Sequence, residues 1–132
     1  MIQKIALAVF KDKKMLQVRT NKQKEVFFTL GGKLEEGESE IECLRREVKE
    51  EVGCEVMESS LKYLTTFQDI AHDKAGEMVN IKVYEGKLIG EPKPSSEIVE
   101  IGWFDTSSDK KYISTIARRT IFPWLKEHGY IN

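Results

Sequence analysis

The sequence predicts a single α/β domain across residues 1–132, with a mixed sheet lying between helices. Three observations carry that expectation. Short apolar, β-branched runs alternate with helical stretches in the order strands, helix, strands, helix. The first helical stretch, about 39–52, has both ends marked: Ser39 and Glu42 form a capping box, and Gly53 stands where a left-handed C-terminal cap belongs. No linker, repeat or low-complexity tract divides the 132 residues, enough chain to bury one sizeable core.

Taken in order, "KIALAVF" (4–10) and "KMLQVRT" (14–20) read as two strands joined by the short "KDK" turn. "EVFFTL" (25–30) is a third strand, ending at Gly31-Gly32, where two glycines permit a tight loop with a closely approachable backbone. After the helix, "LKYLTTFQDIA" and "EMVNIKVYEGKLI" read as strands about a turn at "HDKAGE". Pro92 and Pro94 hold a loop open, and "EIVEIGWFD" alternates as a half-buried strand does. The segment 112–130 reads as a C-terminal helix that Pro123 kinks or breaks.

Composition excludes several classes. The chain is 40% hydrophobic and 33% charged, too apolar for general disorder, and its net charge of −1 advertises neither a nucleic-acid nor a membrane-surface binder. Two cysteines, Cys43 and Cys54, make no disulfide framework and no zinc site, which points to a reducing cytoplasm. The apolar run "IALAVF" is too short for a signal-peptide core or a membrane span. Charge distribution is more telling than its sum. Residues 31–60 hold ten acidic side chains against four basic ones, a net of −6, which leaves the remainder at +5.

On the helix, at about 100° per residue from Glu47, Glu50 falls near about −60° and Glu51 near about +40°. The three carboxylates share a face, while Ile41, Leu44, Val48 and Val52 form an adjoining apolar stripe for docking on the sheet. Like charges at such spacings destabilise a helix by roughly 0.2–0.5 kcal/mol per pair. A hard divalent cation held by oxygen ligands offsets that repulsion; a plain solvated acidic face is the alternative.

The bracketing residues extend the pattern. Gly32, Glu38, Arg46, Glu47, Val48, Glu50, Glu51 and Gly53 spell G-x5-E-x7-R-E-V-x-E-E-x-G. This resembles the signature of the Nudix hydrolase family, departing from it at Cys54, usually aliphatic, and at Leu30, where relatives often have proline. The resemblance implies an α/β/α sandwich over nearly the whole chain and Mg²⁺-dependent hydrolysis (Mn²⁺ substituting) of a nucleoside diphosphate linked to another moiety. It implies Glu47, Glu50 and Glu51 as metal ligands, the Gly31 carbonyl as a further one, and Glu38 paired with Arg46 as support for the site, with Gly32 and Gly53 shaping it. Glu97 matches a fourth metal-binding glutamate of MutT-type relatives. The proton acceptor stays open between a helix glutamate, Glu50 or Glu51, and a later one, Glu97 or Glu100.

Substrate contacts are expected from Arg19 and Lys33 to phosphate, from Phe28 by stacking on a base, and from Asn80 to a base edge. Phe27 and Phe28 point to opposite faces of a strand, so one belongs to the core. Glu35, Glu36, Glu40 and Glu42 are expected on a solvated surface, apart from the cap role of Glu42. His72, His128, Trp103 and Trp124 are expected as surface and packing residues, and Cys43 as a small packing residue near the carboxylate face.

The resulting expectation is a nucleoside triphosphate pyrophosphohydrolase acting on a small nucleotide, such as 8-oxo-dGTP, with no membrane and no long nucleic acid as partner. The alternatives are an ADP-ribose, sugar-nucleotide or dinucleoside-polyphosphate hydrolase and, in another class, a non-catalytic nucleotide-sensing module.

Overall fold

A computed structural model describes residues 2–70 and 76–132. The strands form two four-stranded sheets. The first has β1 (Ile2–Ala8) inside, between β5 (Gly31–Lys33) and β7 (Met78–Ile89), with β6 (Glu55–Ile70) outside β7. It is mixed: β1 runs parallel to β7, while the β1–β5 and β6–β7 pairs are antiparallel. The second sheet is antiparallel, built on β3 (Lys14–Thr20), which pairs with β2 (Phe10–Lys11), β4 (Phe28–Thr29) and β8 (Ile98–Phe104).

The expected single sheet is thus two, and the reason lies in two expected strands that each change sheets. The run 4–10 breaks at Val9, passing from β1 to β2, and the run 25–30 reaches β5 through Leu30. The glycines are correspondingly strand, not loop. At Gly31 (φ 134°) a Cβ would fall 2.1 Å from the Ile5 carbonyl oxygen, so only glycine permits β5 to lie this close to β1. The "KDK" turn is as expected: Asp12 and Lys13 both have positive φ, the twist a two-residue hairpin requires.

Helix α1 (Glu40–Val52) has the expected capping box and the Gly53 left-handed cap. Leu44, Val48 and Val52 are buried against Ile5, Leu7, Leu16, Val18 and Leu30. Ile41 departs from the expected stripe: it is 43% exposed, whereas Cys43 is fully buried. The helix leans toward β5, and the Cys43 thiol donates to the Gly32 and Lys33 carbonyls. Cys43 is therefore a packing residue. Cys54 is buried as well and behaves as a small hydrophobe in place of an aliphatic residue.

On the opposite side of the first sheet, Ala6, Val79, Ile81 and Val83 meet Ile116, Ile121, Phe122 and Leu125 of the C-terminal helix. That helix runs from 115 to 127, with π-helical turns at Ala117–Ile121 leading into α2 (Phe122–Glu127). Pro123 therefore does not break it. It sits in the first turn of α2, while Phe122 N–H reaches back five residues to Ala117 O, a local widening that accommodates the missing donor. Residues 110–112 form a separate 3₁₀ turn and are not part of this helix. Helices on both sides of strands make this an α/β sandwich, as expected. Among the described residues, no helix is long and apolar enough to cross a membrane. The expected turn at 72–77 and His72 fall largely outside the described residues.

Candidate active site

Where β5 meets the face of α1, a cleft of about 510 Å³ opens between the two sheets. Its character changes along its length. One end is walled by Gly31, Gly32, Glu47 and Glu51, with Lys4 and Lys33 alongside. The rest is more apolar, walled by Ile2, Val18, Val79, Ile81 and Ile116, with Phe28 under the Lys4 ammonium and with the polar Thr20, Lys22, Gln23, Thr29 and Ser114 among the lining.

The acidic end is organised by Arg46. Its Nε and Nη2 donate to the two oxygens of Glu38 at 2.8 and 3.0 Å, its Nη1 to Glu47 at 2.6 Å, and Nη2 also to the Lys33 carbonyl at 3.1 Å. The expected Glu38–Arg46 pair is therefore present and ties the loop before the helix to its carboxylate face. The guanidinium hydrogen bonds draw the Glu38 carboxyl down to about 2. Glu47 goes the other way: burial raises it, and Arg46 only partly opposes.

Glu51 is the most extreme group. Its Oε1 accepts from the Gly31 N–H at 2.9 Å, and burial pushes its carboxyl up to about 8, with the Glu47 charge adding to the rise. Gly32 has room for no side chain, because a Cβ there would lie 2.4 Å from the Glu47 carboxyl carbon. Glu50 is different again. Its side chain is 54% exposed and stands 3.8 Å from Arg46. Helical spacing thus puts the three glutamates on one face, but the side chains diverge. Among the described residues, no three His, Cys, Asp or Glu groups are drawn into one ready-made metal cage.

Of the expected substrate contacts, Phe28 and Lys33 line the cleft, while Phe27 is buried, as one of the adjacent pair had to be. Arg19 and Asn80 are not brought into the lining. Arg19 donates twice to Glu100, at 3.0 and 2.6 Å, and Asn80 donates to the Gln3 side chain at 2.8 Å. Glu97 also stands outside the lining, with its carboxylate 3.0 Å from Lys22, a lysine that does line the cleft. Glu100 is engaged by Arg19.

Glu40 corrects another expectation. It is only partly exposed, because the start of α1 overhangs β7: its carboxylate takes Lys82 at 2.7 Å and the Tyr84 hydroxyl. Glu35 and Glu36 are exposed, and Glu42 serves the cap. Trp124 packs edge-on to Phe67 and carries His128 stacked on its face; Trp103 is partly buried against the α1-side core.

Sequence reasoning missed Lys4, Thr29, Ser114 and the apolar wall. Lys4 carries the clearest retrospective signal. It lies directly opposite Lys33 in the β1–β5 register, and like charges facing each other across strands are unfavourable without an anion to share. That pairing is invisible until the register is known.

Comparison with known proteins agrees with the geometry. The family profile described as the NUDIX domain matches residues 2–125. The chain is 36% identical over 121 residues to the protein named NAD-capped RNA hydrolase NudC of Vibrio atlanticus (strain LGP32), covering 89% of this chain but 43% of that one. It spans less than half the length of that relative. Among solved structures, the E. coli ORF135 protein superposes with a TM-score of 0.74 at 21% identity, covering 98% of this chain and 93% of that one. A MutT NUDIX hydrolase from Burkholderia pseudomallei superposes at 0.73 and 20% identity, covering 89% and 92%.

Proposed function

This chain belongs to the Nudix hydrolases, enzymes that act on diphosphate bonds, and from that premise we propose that it cleaves a nucleoside triphosphate to the monophosphate and pyrophosphate. The observation that carries the reading is the polarity of this cleft. Carboxylates for a cation, a facing lysine pair for phosphates and a single apolar, aromatic-walled end for one base follow one another within about 510 Å³. A drug-sized cleft with a few placed polar groups suits one nucleotide.

The donor set fits a divalent cation such as Mg²⁺. It offers oxygen ligands only, from Glu47 and Glu51 with the Gly31 carbonyl as the third, and Glu51 is a deeply buried carboxylate that accepts from the Gly31 N–H. When bound, such a cation polarises phosphate oxygens and lowers the pKa of a coordinated water. The chain's own residues do the rest. Arg46 holds Glu47 and the Lys33 carbonyl in place; Lys4 and Lys33 orient the phosphates; Phe28 stacks on the base. A glutamate of the helix, Glu51 in the cleft wall or Glu50 beside it, accepts the proton of the attacking water as the water oxygen bonds to the α-phosphorus. The bridging oxygen then leaves with the bond pair, releasing pyrophosphate. Glu97 anchors Lys22 at the rim.

A second reading is favoured by one observation, the 36% identity to NudC: cleavage of the diphosphate in a dinucleotide such as NAD, free or capping an RNA.

A Mg²⁺-dependent hydrolysis panel with product identification tests both. It holds ordinary and oxidised (d)NTPs, ADP-ribose, sugar nucleotides, dinucleoside polyphosphates, NAD and NAD-capped RNA, each run with wild type, Glu51→Gln and Glu97→Gln. Triphosphate turnover to monophosphate and pyrophosphate, lost in Glu51→Gln, supports the first reading. Turnover confined to NAD or its capped RNA installs the second. A nucleotide bound but not hydrolysed leaves a sensing module. A loss in Glu97→Gln as large as in Glu51→Gln returns Glu97 to the metal set.

A further inference from the structure

In the middle of β3, Gln17 is completely buried, an expensive place for an amide that a leucine would fill without penalty. Its Nε2 has two partners, the Leu16 carbonyl at 3.3 Å and the Thr29 hydroxyl at 3.2 Å. Because a carbonyl only accepts, the first contact identifies the nitrogen end of the amide, so Thr29 Oγ1 is the acceptor in the second. The other end of the amide, Oε1, is buried without a hydrogen-bond partner among the described residues. Folding alone gives no reason to keep an amide here, since it leaves one polar atom unsatisfied to reach one threonine.

Thr29 is no ordinary threonine: it lines the apolar end of the cleft, close to Phe28 and Ser114. A hydroxyl has one hydrogen and two lone pairs. With a lone pair committed to Gln17, the hydrogen is turned away from Gln17 and is available to a ligand in the cleft.

We infer that Gln17 is a positioning residue that fixes the Thr29 hydroxyl as a hydrogen-bond donor, and that Thr29 thereby selects a base presenting an acceptor, a ring carbonyl or ring nitrogen, at that point. This deepens the proposed function and rests on its reading of the apolar end as the base subsite. Discrimination arises because a base presenting an N–H there would meet a second donor and lose its own hydrogen bond.

The test separates binding from hydrolysis. Affinities of AMP, GMP, CMP and UMP are measured for wild type, Gln17→Leu, Gln17→Met, Thr29→Val, Thr29→Ser and the double variant Gln17→Leu/Thr29→Val, with a thermal melt of each. Wild type prefers one or two of the four bases. Gln17→Leu, Gln17→Met and Thr29→Val each flatten that preference about 3- to 10-fold. Thr29→Ser retains it, the double variant adds nothing to Thr29→Val, and the Gln17 variants melt no lower than wild type. A merely structural Gln17 would lower the melting temperature and leave the base preference alone. The inference is overturned if wild type binds all four equally or none, or if the Gln17 variants keep the wild-type preference. Failure of the hydrolysis panel with base preference intact removes the proposed reaction without touching this inference.

Discussion

The two ends of the cleft are built on different plans. The acidic end comes from one contiguous stretch, residues 31–53, in which spacing along a helix, a capped start and a glycine stop place nearly every group. The apolar end is assembled from β1, β3, β4, β7 and the start of the C-terminal helix, five pieces that meet only in the folded chain. The first is a local device, held by side chains within a few turns of one another. The second exists only because the chain crosses between the two sheets, from β1 to β2 and from β4 to β5. Damage to the first should therefore change chemistry, and damage to the second should change which molecule is accepted.

The largest effect tests the acidic end. Glu51→Gln should reduce turnover at least about 100-fold. It should also raise the thermal midpoint of metal-free protein, because it replaces a buried carboxylate that accepts from a single backbone N–H by a neutral isostere. Assay and melt on the same preparation check both. Loss of activity with a lowered midpoint would mean that Glu51 is structural.

Next is Arg46→Ala, which leaves the carboxylates in place and removes what aims them. Turnover and cation affinity should fall about 10- to 100-fold, read by titrating Mg²⁺ against rate. An unchanged Mg²⁺ dependence would break the view of Arg46 as the organiser of this end.

Phe28→Ala probes the other plan. It should raise KM about 10-fold, the scale of one lost base–aromatic stack, with kcat close to wild type. A fall in kcat at constant KM would show that the two ends are not separable.

The smallest effect is on pH. The Glu38 carboxyl sits near 2 in the folded protein against an ordinary 4.5, drawn down by Arg46. A depressed carboxylate contributes stability that is present above the unfolded value and lost as pH falls through the folded one. The thermal midpoint should therefore decline between pH 4.5 and 2, and Glu38→Gln should shallow that decline. Equal slopes for the two proteins would separate the pair from acid stability.

How much was legible follows the same division. The helix, its caps, the carboxylate face and the Glu38–Arg46 pair were readable because each depends on neighbours at helical or short-loop distance. Ile41 was misplaced because periodicity assigns a face but not how far the sheet covers it, and Glu40 because its partners, Lys82 and Tyr84, lie forty residues away. Arg19 and Asn80 were expected in the cleft, yet cross-strand or adjacent-strand partners, Glu100 and Gln3, take up their polar groups. Thr29 and Gln17 carried no signal at all, and the signal at Lys4 needs the β1–β5 register to be seen.

By itself, then, the sequence determined the α/β composition, the capped helix and the set of glutamates that share one helix face, since 100° per residue, a capping box at the start and a glycine at the end leave few alternatives. Only the tertiary structure decided that there are two sheets, that β5 lies against the Ile5 backbone, and that Lys4 faces Lys33. It alone put a buried glutamine behind the threonine of the cleft. Those features depend on strand register and on where the chain changes sheets, and neither is set by any interaction among residues adjacent in the sequence.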